Sequence, residues 1–474
     1  MIHHKSLYLP LVAIMAGCTL QPAYQRSPTP MLSAWREEFP LPQDAKIGQQ
    51  FWNQFNDPIL NDYVELALKH NLDLNEAIEN VLVFLERYGV VRSKLFPQIN
   101  LQGTGEKEKV GASPGTVTSA STIGNSFDLV MNAGYLIDFW GEVRSASKSA
   151  YHTYLASVHQ RKAVLLSVVS STLKTYFLLR QYDRQLEIAN QTIATRKESY
   201  RLALIRFQLG LTSQIQVEQA LSLLEFANLE AERLKIAIGV TEDLMAVLIG
   251  EPTTPVIRGE AIQCLTLPEA VDQPVPSKIL DQRPDLMRSE QELMALNADI
   301  GVAKAKFFPQ FNFNASYGFD NGVFSQLFQQ QSSIWSYGLS LLQEIFTGGR
   351  LTSNLKLSQA NQRKGLYRYH QAILNAFKET NDAFITHRYN LEIIQTQKIR
   401  VEALERYLNL ALLQYNEGLI DYLTYLDAER QVFEAKLAEA GSIANSFISY
   451  VSIYQAIGGP WVDQADDKRM GTIR

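Results

Sequence analysis

From Phe311 to Phe319 every odd position is apolar (Phe311, Phe313, Ala315, Tyr317, Phe319), and every even one is polar or small (Asn312, Asn314, Ser316, Gly318). A period of two predicts a strand with one apolar face. After a Gln- and Ser-rich gap, Trp335, Tyr337, Leu339 and Leu341 alternate with Ser336, Gly338 and Ser340, so the chain returns as a hairpin over about 310–346. The plan occurs earlier too. Ile99 and Leu101 alternate with Gln98, Asn100 and Gln102, a loop rich in Gly, Ser and Thr follows, and Phe127, Leu129, Met131, Ala133, Tyr135, Ile137 and Phe139 lead back, giving a hairpin over about 98–139. Strands of about ten residues span a bilayer when tilted in a barrel. Phe307, Phe308 and Phe346 at the base of the later hairpin stand where an interfacial aromatic girdle would lie.

The pattern between the hairpins is helical. From Glu142 to about Gln208 there is no proline or glycine, and Leu165, Val169, Tyr176, Leu179, Leu186 and Ile193 recur at spacings of three and four, with Thr172, Asp183 and Asn190 as polar interruptions. A helix of this length would extend about 100 Å, which argues for coiled-coil packing. Gly210, Leu211, Thr212 and Ser213 predict a tight turn (tip about 209–213) with a new N-cap, and a return helix runs from about Gln214 to Ile249. A shorter helix pattern precedes the first hairpin, starting near Ile59, breaking at Asn71, and ending before Pro97. Arg283-Pro284-Asp285-Leu286 opens the helix before the second hairpin, where proline at the first position and a nearby aspartate read as a well-capped start.

These landmarks repeat. Leu72-Asp73-Leu74, Phe96-Pro97-Gln98, Trp140-Gly141 and Gly210-Leu211 recur as Pro284-Asp285-Leu286, Phe308-Pro309-Gln310, Thr347-Gly348 and Gly418-Leu419, in order and about 210 positions later. The predicted organisation is a leader (1–17), an extended N-terminal arm with aromatic anchors (18–58), a first structural repeat (59–250), a connecting segment (251–276), a second repeat (277–460, tip about 416–421) and a C-terminal tail (461–474). Four membrane strands cannot close a barrel alone, since open edges are not viable in lipid and single-chain barrels start at about eight strands. An oligomeric barrel, with all the long helices on one side of the bilayer, follows from placing the hairpins in a membrane.

Composition narrows the rest. A net charge of −5 over 474 residues gives no nucleic-acid surface. Apolar runs beyond the first twenty residues look too short for helical spans, so a membrane role falls to strands. The two cysteines, Cys18 and Cys264, are too few for a disulfide framework or a zinc site. Met15-Ala16-Gly17-Cys18 follows a short basic start and an apolar core, and resembles a bacterial lipoprotein signal with lipidation at Cys18. The seven histidines show no metal spacing, and no phosphate-cradling glycine loop occurs. His152 and His159 read as exposed positions of one helix. No enzyme, no cofactor and no metal is expected.

Taken in order, these residues resemble the TolC-like outer-membrane efflux factors, in their lipoprotein branch. The resemblance is carried by Cys18-Thr19-Leu20 with Pro22 and Tyr24, Arg283-Pro284-Asp285-Leu286, Ala295 with Asn297 and Ala298, Ile300-Gly301-Val302-Ala303, and Phe307-Phe308-Pro309. Phe346-Thr347-Gly348-Gly349-Arg350, Tyr415-Asn416-Glu417-Gly418, Tyr422-Leu423 and Leu426-Asp427-Ala428-Glu429 complete it. It implies a mainly α chain with a membrane β-barrel: a trimeric α/β-barrel channel in which each chain gives four barrel strands and long coiled helices. It also implies a passive conduit in the outer membrane of a Gram-negative bacterium, lipid-anchored and extending into the periplasm. Its partners would be two further copies of the chain, a periplasmic adaptor protein, an inner-membrane efflux pump and outer-membrane lipid. Carried over by position, Leu423 and Asp427 form a pore constriction, with Asp421 a weaker candidate. The turns Gly210, Leu211, Thr212 and Gly418, Leu419 form adaptor-docking tips. Leu419-Ile420 departs from the family, which often has a polar residue there, so a salt-bridged latch at that point is not expected. The alternatives are a coiled-coil periplasmic scaffold, a stand-alone porin and an exit duct for secreted proteins. The exported substrate is not specified.

Overall fold

The computed structural model describes residues 20–26, 28, 32–37, 39, 50–110, 122–253, 255–268 and 273–473. Cys18 and the tip of the first hairpin lie outside the described residues. The helices are α1 (Pro58–His70), α2 (Leu72–Ser93), α3 (Glu142–Gln208), α4 (Gln214–Ile249), α5 (Pro284–Ala305), α6 (Arg350–Asn416), α7 (Tyr422–Ile457) and α8 (Pro460–Ile473). The strands are β1 (Gln98–Val110), β2 (Thr122–Ile137), β3 (Gln310–Asn321) and β4 (Ser333–Leu342). The duplication shows in the lengths: α2 and α5 have 22 residues each, α3 and α6 have 67, and α4 and α7 have 36. The chain divides into two units.

One unit gathers Asn80–Ser157 and Arg288–His370 with the described part of Met1–Pro28. Its centre is a four-stranded antiparallel sheet in the order β1-β2-β3-β4, so both hairpins form where the alternation predicts them and join through β2 and β3. The register pairs odd positions with odd. Leu101 faces Met131, Met131 faces Tyr317, and Tyr317 faces Trp335, so one face is apolar across all four strands. The other face carries the row Asn100, Asn132, Ser316 and Ser336, with the Ser316 and Ser336 hydroxyls 2.8 Å apart. Aromatic rings collect at both ends. At the helix end Trp140 stacks on Phe308 at 4.6 Å, and its indole N–H donates to the Pro309 carbonyl at 2.9 Å. At the loop end Phe127 meets Phe324 and Phe319 meets Phe328. The strand-to-helix bend into α3 uses Gly141, at φ 76°, and the Asp138 carboxylate, which accepts from the backbone N–H groups of Val143 and Arg144.

The N-terminal arm lies on α5 in this unit. Asn297 donates to the Pro22 carbonyl at 2.8 Å, Arg26 pairs with Glu290 at 2.7 Å, and a Cβ on Gly301 would stand 3.0 Å from Gln21 Cα. Asn297 and Gly301, two residues of the sequence resemblance, are thus explained by arm binding. His152 is half-buried with Nδ1 2.8 Å from Gln291 Oε1, and His159, in the second unit, is half-buried as well, so neither is the exposed position that the sequence suggested.

The second unit holds Val158–Met287 and Gln371–Arg474 with the described part of Thr29–Glu79. Phe51, Trp52 and Phe55, on a short 3-10 turn, are fully buried among Phe177, Phe447, Tyr454 and Trp461. Asp57 caps α1 and accepts a hydrogen bond from the buried Tyr176 hydroxyl. Residues 461–474, expected as a tail, begin instead as helix α8: Trp461, Val462 and Ala465 are buried, and Asp466 pairs with the buried Arg161. Apolar positions spaced too sparsely for a sequence signal still fill a core here. Leu165, Val169, Tyr176 and Leu179 are buried as their spacing predicts. One window of α3 does match a membrane span in length and apolar composition, contrary to the sequence reading, and 61% of it is buried within the chain.

Arg283 corrects a simpler expectation. It does more than flank a helix start: its buried guanidinium takes both oxygens of Asp285, pairs with Glu379 at 2.6 Å and donates to the Ala456 carbonyl at 2.9 Å. It thereby ties the start of α5 to α6 and the end of α7.

Candidate functional site

The two helical hairpins, α3–α4 and α6–α7, end in turns of the same construction. In the first, Leu211 N–H reaches the Arg206 carbonyl at 2.8 Å and Gly210 N–H reaches Phe207 at 2.9 Å. In the second, Leu419 N–H reaches Gln414 at 2.8 Å and Gly418 N–H reaches Tyr415 at 3.0 Å. Both are Schellman motifs, and both need a left-handed residue, supplied by Gly210 at φ 73° and Gly418 at φ 72°. The consequence for the surface is the same in each: Leu211 and Leu419 stand outward, each 73% exposed.

The restarts differ. Ser213 occupies the N-cap of α4 without a side-chain capping bond, while the Thr212 hydroxyl donates to Gln216. The expectation of a capped start at Ser213 thus holds for position but not for hydrogen bonding. Asp421 caps α7 by accepting from Thr424 N–H at 3.0 Å and from its hydroxyl, and these bonds hold its carboxyl below the usual carboxylate range. Asp421 therefore serves the helix start. A shallow cleft of about 500 Å³ opens beside Gln214, Ile215, Glu218, Gln219 and Ser222.

Leu423 and Asp427 lie one turn apart on α7. Leu423 is exposed, and the Asp427 side chain is 41% exposed. Asp427 accepts from Arg430 at 2.6 Å and from Gln431 at 2.5 Å, and the hydrogen bond from Arg430 leads in lowering its pKa. It is therefore an ionised surface carboxylate at neutral pH.

Behind the tips the hairpins share a core. Ala203 of α3, Val217 and Ala220 of α4, and Tyr422, Tyr425 and Leu426 of α7 are buried together, with Leu408 and Tyr415 of α6 packed on them. Further along, Ile188, Ala189, Ala231, Leu234, Phe433 and Ala440 form a second cluster. Leu419 and Ile420 offer no polar latch, but Arg206 of α3 donates to the Tyr415 hydroxyl of α6 at 3.1 Å, a cross-hairpin contact that sequence reasoning missed.

It also missed Arg196 and Glu429. Arg196 is 2% exposed, donates to the Leu223 carbonyl at 2.7 Å and lies 5.0 Å from the Phe433 ring centroid. Glu429 is 8% exposed and accepts from the Tyr425 hydroxyl, and burial outweighs that bond and the nearby Arg196 to raise its carboxyl pKa. A signal existed: Ala189, Arg196 and Ala203 recur every seven residues, so a charge stands in a column of small buried residues. Among the described residues no group of three or more His, Cys, Asp or Glu is placed to hold a metal.

The arrangement is thus a membrane-type sheet plus paired helical hairpins, and known proteins share it. The family profile described as outer membrane efflux protein matches residues 63–242 and 275–459. The probable efflux pump outer membrane protein TtgC of Pseudomonas putida is 29% identical over 461 residues, which cover 95% of this chain and 94% of that one. The crystal structure of the Campylobacter jejuni CmeC outer membrane channel is similar in fold, with a TM-score of 0.89 at 24% identity over 95% of this chain and 98% of that one. The open-state structure of the Neisseria gonorrhoeae MtrE outer membrane channel is similar with a TM-score of 0.84 at 25% identity, over 94% of this chain and 99% of that one. With its profile match spanning both repeats, its four-strand sheet and its twin helical hairpins, this chain belongs to the outer membrane efflux protein family.

Proposed function

We propose that three copies of this chain close one twelve-stranded barrel and act as a passive exit conduit, fed through a periplasmic adaptor by an inner-membrane pump. The observation that carries the reading is the sheet: four strands, apolar on one face and polar on the other, with β1 and β4 left at its edges. Neither edge is tolerable in lipid. β1 and β4 run antiparallel, so β4 of one copy can pair with β1 of the next in the sense used throughout the sheet. The relatives named as efflux pump or channel proteins support the transport role, and the lipobox supports anchoring at Cys18.

The exposed Leu211 and Leu419 at matched turns are the surface we assign to the adaptor. Asp427, ionised and exposed one turn from Leu423, is assigned to a ring of three carboxylates at the constriction, which favours cations and hinders anions.

The native mass of the protein extracted from outer membranes tests the assembly: three chains are expected, and a monomer that persists at all detergent ratios rules out the shared barrel. Asp427→Ala is expected to raise single-channel conductance or antibiotic leak in the reconstituted assembly. Unchanged conductance and selectivity would remove Asp427 from the pore.

A further inference from the structure

At the loop end of β1 the chain reads Glu106-Lys107-Glu108-Lys109. Successive side chains of a strand take opposite faces, so both glutamates fall with Gln102 and Thr104 on the polar face, and both lysines fall with Ile99 and Leu101 on the apolar one. The polar face gathers further negative charge at this end, where Asp128 and Asp320 oppose each other across β2 and β3. The sheet thus segregates charge by sign, with carboxylates on one side and two lysines on the other. Among the described residues neither lysine has an ion-pair or hydrogen-bond partner.

Their height is set by the register. Gly105 faces Phe127, whose ring belongs to the loop-end aromatic group, and Lys107 and Lys109 face Asn125 and Ile123, two and four residue pairs beyond it. From Ile137, beside the helix-end aromatics, to Phe127 is ten residues of β2. At about 3.3 Å per residue and a tilt of about 40° that rise is about 25 Å, the height of the apolar band of an outer-membrane barrel. Lys107 and Lys109 then stand about 5 and 10 Å above the band, across the headgroup layer. A lysine on the lipid face is costly deep in the bilayer and tolerated at its edge.

We propose that Lys107 and Lys109 form a binding surface for the phosphate groups of a phosphorylated outer-leaflet glycolipid of the lipid A type. The inference rests on the barrel reading above, with the helices on the periplasmic side and the strand loops outside. Sign, face and height all agree with an anionic lipid headgroup: serine or glutamine would serve at a merely wet strand end, and glutamate is what the other face carries.

The test titrates bisphosphorylated lipid A, and separately its dephosphorylated form, onto the intact protein in phosphatidylethanolamine nanodiscs, with bound lipid counted by native mass spectrometry. Assembly mass and conductance are read on the same preparation, so a missing assembly or a silent channel refutes the barrel reading rather than the lipid surface. For an assembled channel, Lys107→Gln with Lys109→Gln is expected to weaken lipid A binding roughly thirty-fold per site, about 2 kcal/mol at 1.4 kcal/mol per decade. The paired arginine variant is expected to retain binding, as is Glu106→Gln with Glu108→Gln. Equal binding by wild type and the paired glutamine variant, equal binding of dephosphorylated lipid, or full displacement by millimolar inorganic phosphate would each overturn the proposal.

Discussion

Replacing Arg283 tests whether one buried guanidinium holds three helices together. Its side chain is 8% exposed and makes four bonds: two to Asp285 at 3.0 and 2.8 Å, one to Glu379 at 2.6 Å and one to the Ala456 carbonyl at 2.9 Å. In Arg283→Ala the two carboxylates are about half exposed and can turn to water, so each ion pair counts for only about 0.5–1 kcal/mol. The Ala456 carbonyl keeps a bond from the Thr380 hydroxyl at 3.2 Å, so losing the charged donor costs about 1.5 kcal/mol, the low end for such a bond. The sum is about 3 kcal/mol before lost packing of the side chain is added. For a chain of this size that corresponds to a fall of about 3–6 °C in the midpoint of helix loss by circular dichroism, read in detergent at one fixed scan rate. Arg283→Lys is expected to recover about half, because an ammonium cannot reproduce the two-pronged contact with Asp285. Asp285→Ala, which leaves Glu379 and Ala456 in place, should lower the midpoint less than Arg283→Ala. A midpoint for Arg283→Ala within a degree of wild type would refute the tie, and so would a lysine variant as stable as wild type.

Other outcomes follow from single sites. Burial beside Phe39 and Tyr450 lowers His387 from 6.5 to about 4, so the folded chain keeps it neutral while the unfolded chain charges it. Its contribution is complete above pH 6.5 and is lost as pH falls to about 4, by about 3 kcal/mol at most; His387→Gln should flatten the difference in unfolding midpoint between neutral and mildly acidic pH, and an unchanged pH slope would refute this. Glu429 runs the other way. Its raised pKa makes the folded chain bind the extra proton, so its contribution to stability falls as pH rises from 4.5 through the raised value, and Glu429→Gln should stabilise the hairpin core at neutral pH. A Cβ on Gly318 would stand 2.2 Å from the Leu129 carbonyl oxygen and 2.6 Å from Val130 Cα, whereas one on Gly338 meets nothing within 4 Å. Gly318→Ala should deplete assembled protein from the outer membrane and Gly338→Ala should not; equal yields would contradict the close β2–β3 approach.

The sequence by itself determined most of the elements. A period of two in Phe311–Phe319 and Phe127–Phe139, and three-four spacing without glycine or proline from Glu142 to Gln208, are local signals, because alternation and helical spacing are geometric properties of the chain itself. The duplication was legible for the same reason, and the tip glycines marked left-handed turns before any packing was known. What only the tertiary structure decided involves partners distant in sequence. The joining of the hairpins through β2 and β3 pairs residues 174 to 194 positions apart, and no local pattern specifies that choice. Residues 461–474 read as a tail because Trp461, Val462 and Ala465 are too few for a clear period, yet these three are buried, and the Trp461 ring packs on Phe51 and Trp52 from the other end of the chain. Arg283 read as part of a helix start, because its neighbours in sequence satisfied the capping rule and its other partners, Glu379 and Ala456, lie far along the chain. Arg196 and Glu429 were hidden similarly: a charge on a helix reads as solvent-facing until the fold places it against Leu223, Phe433 and Tyr425, where burial changes its energetics.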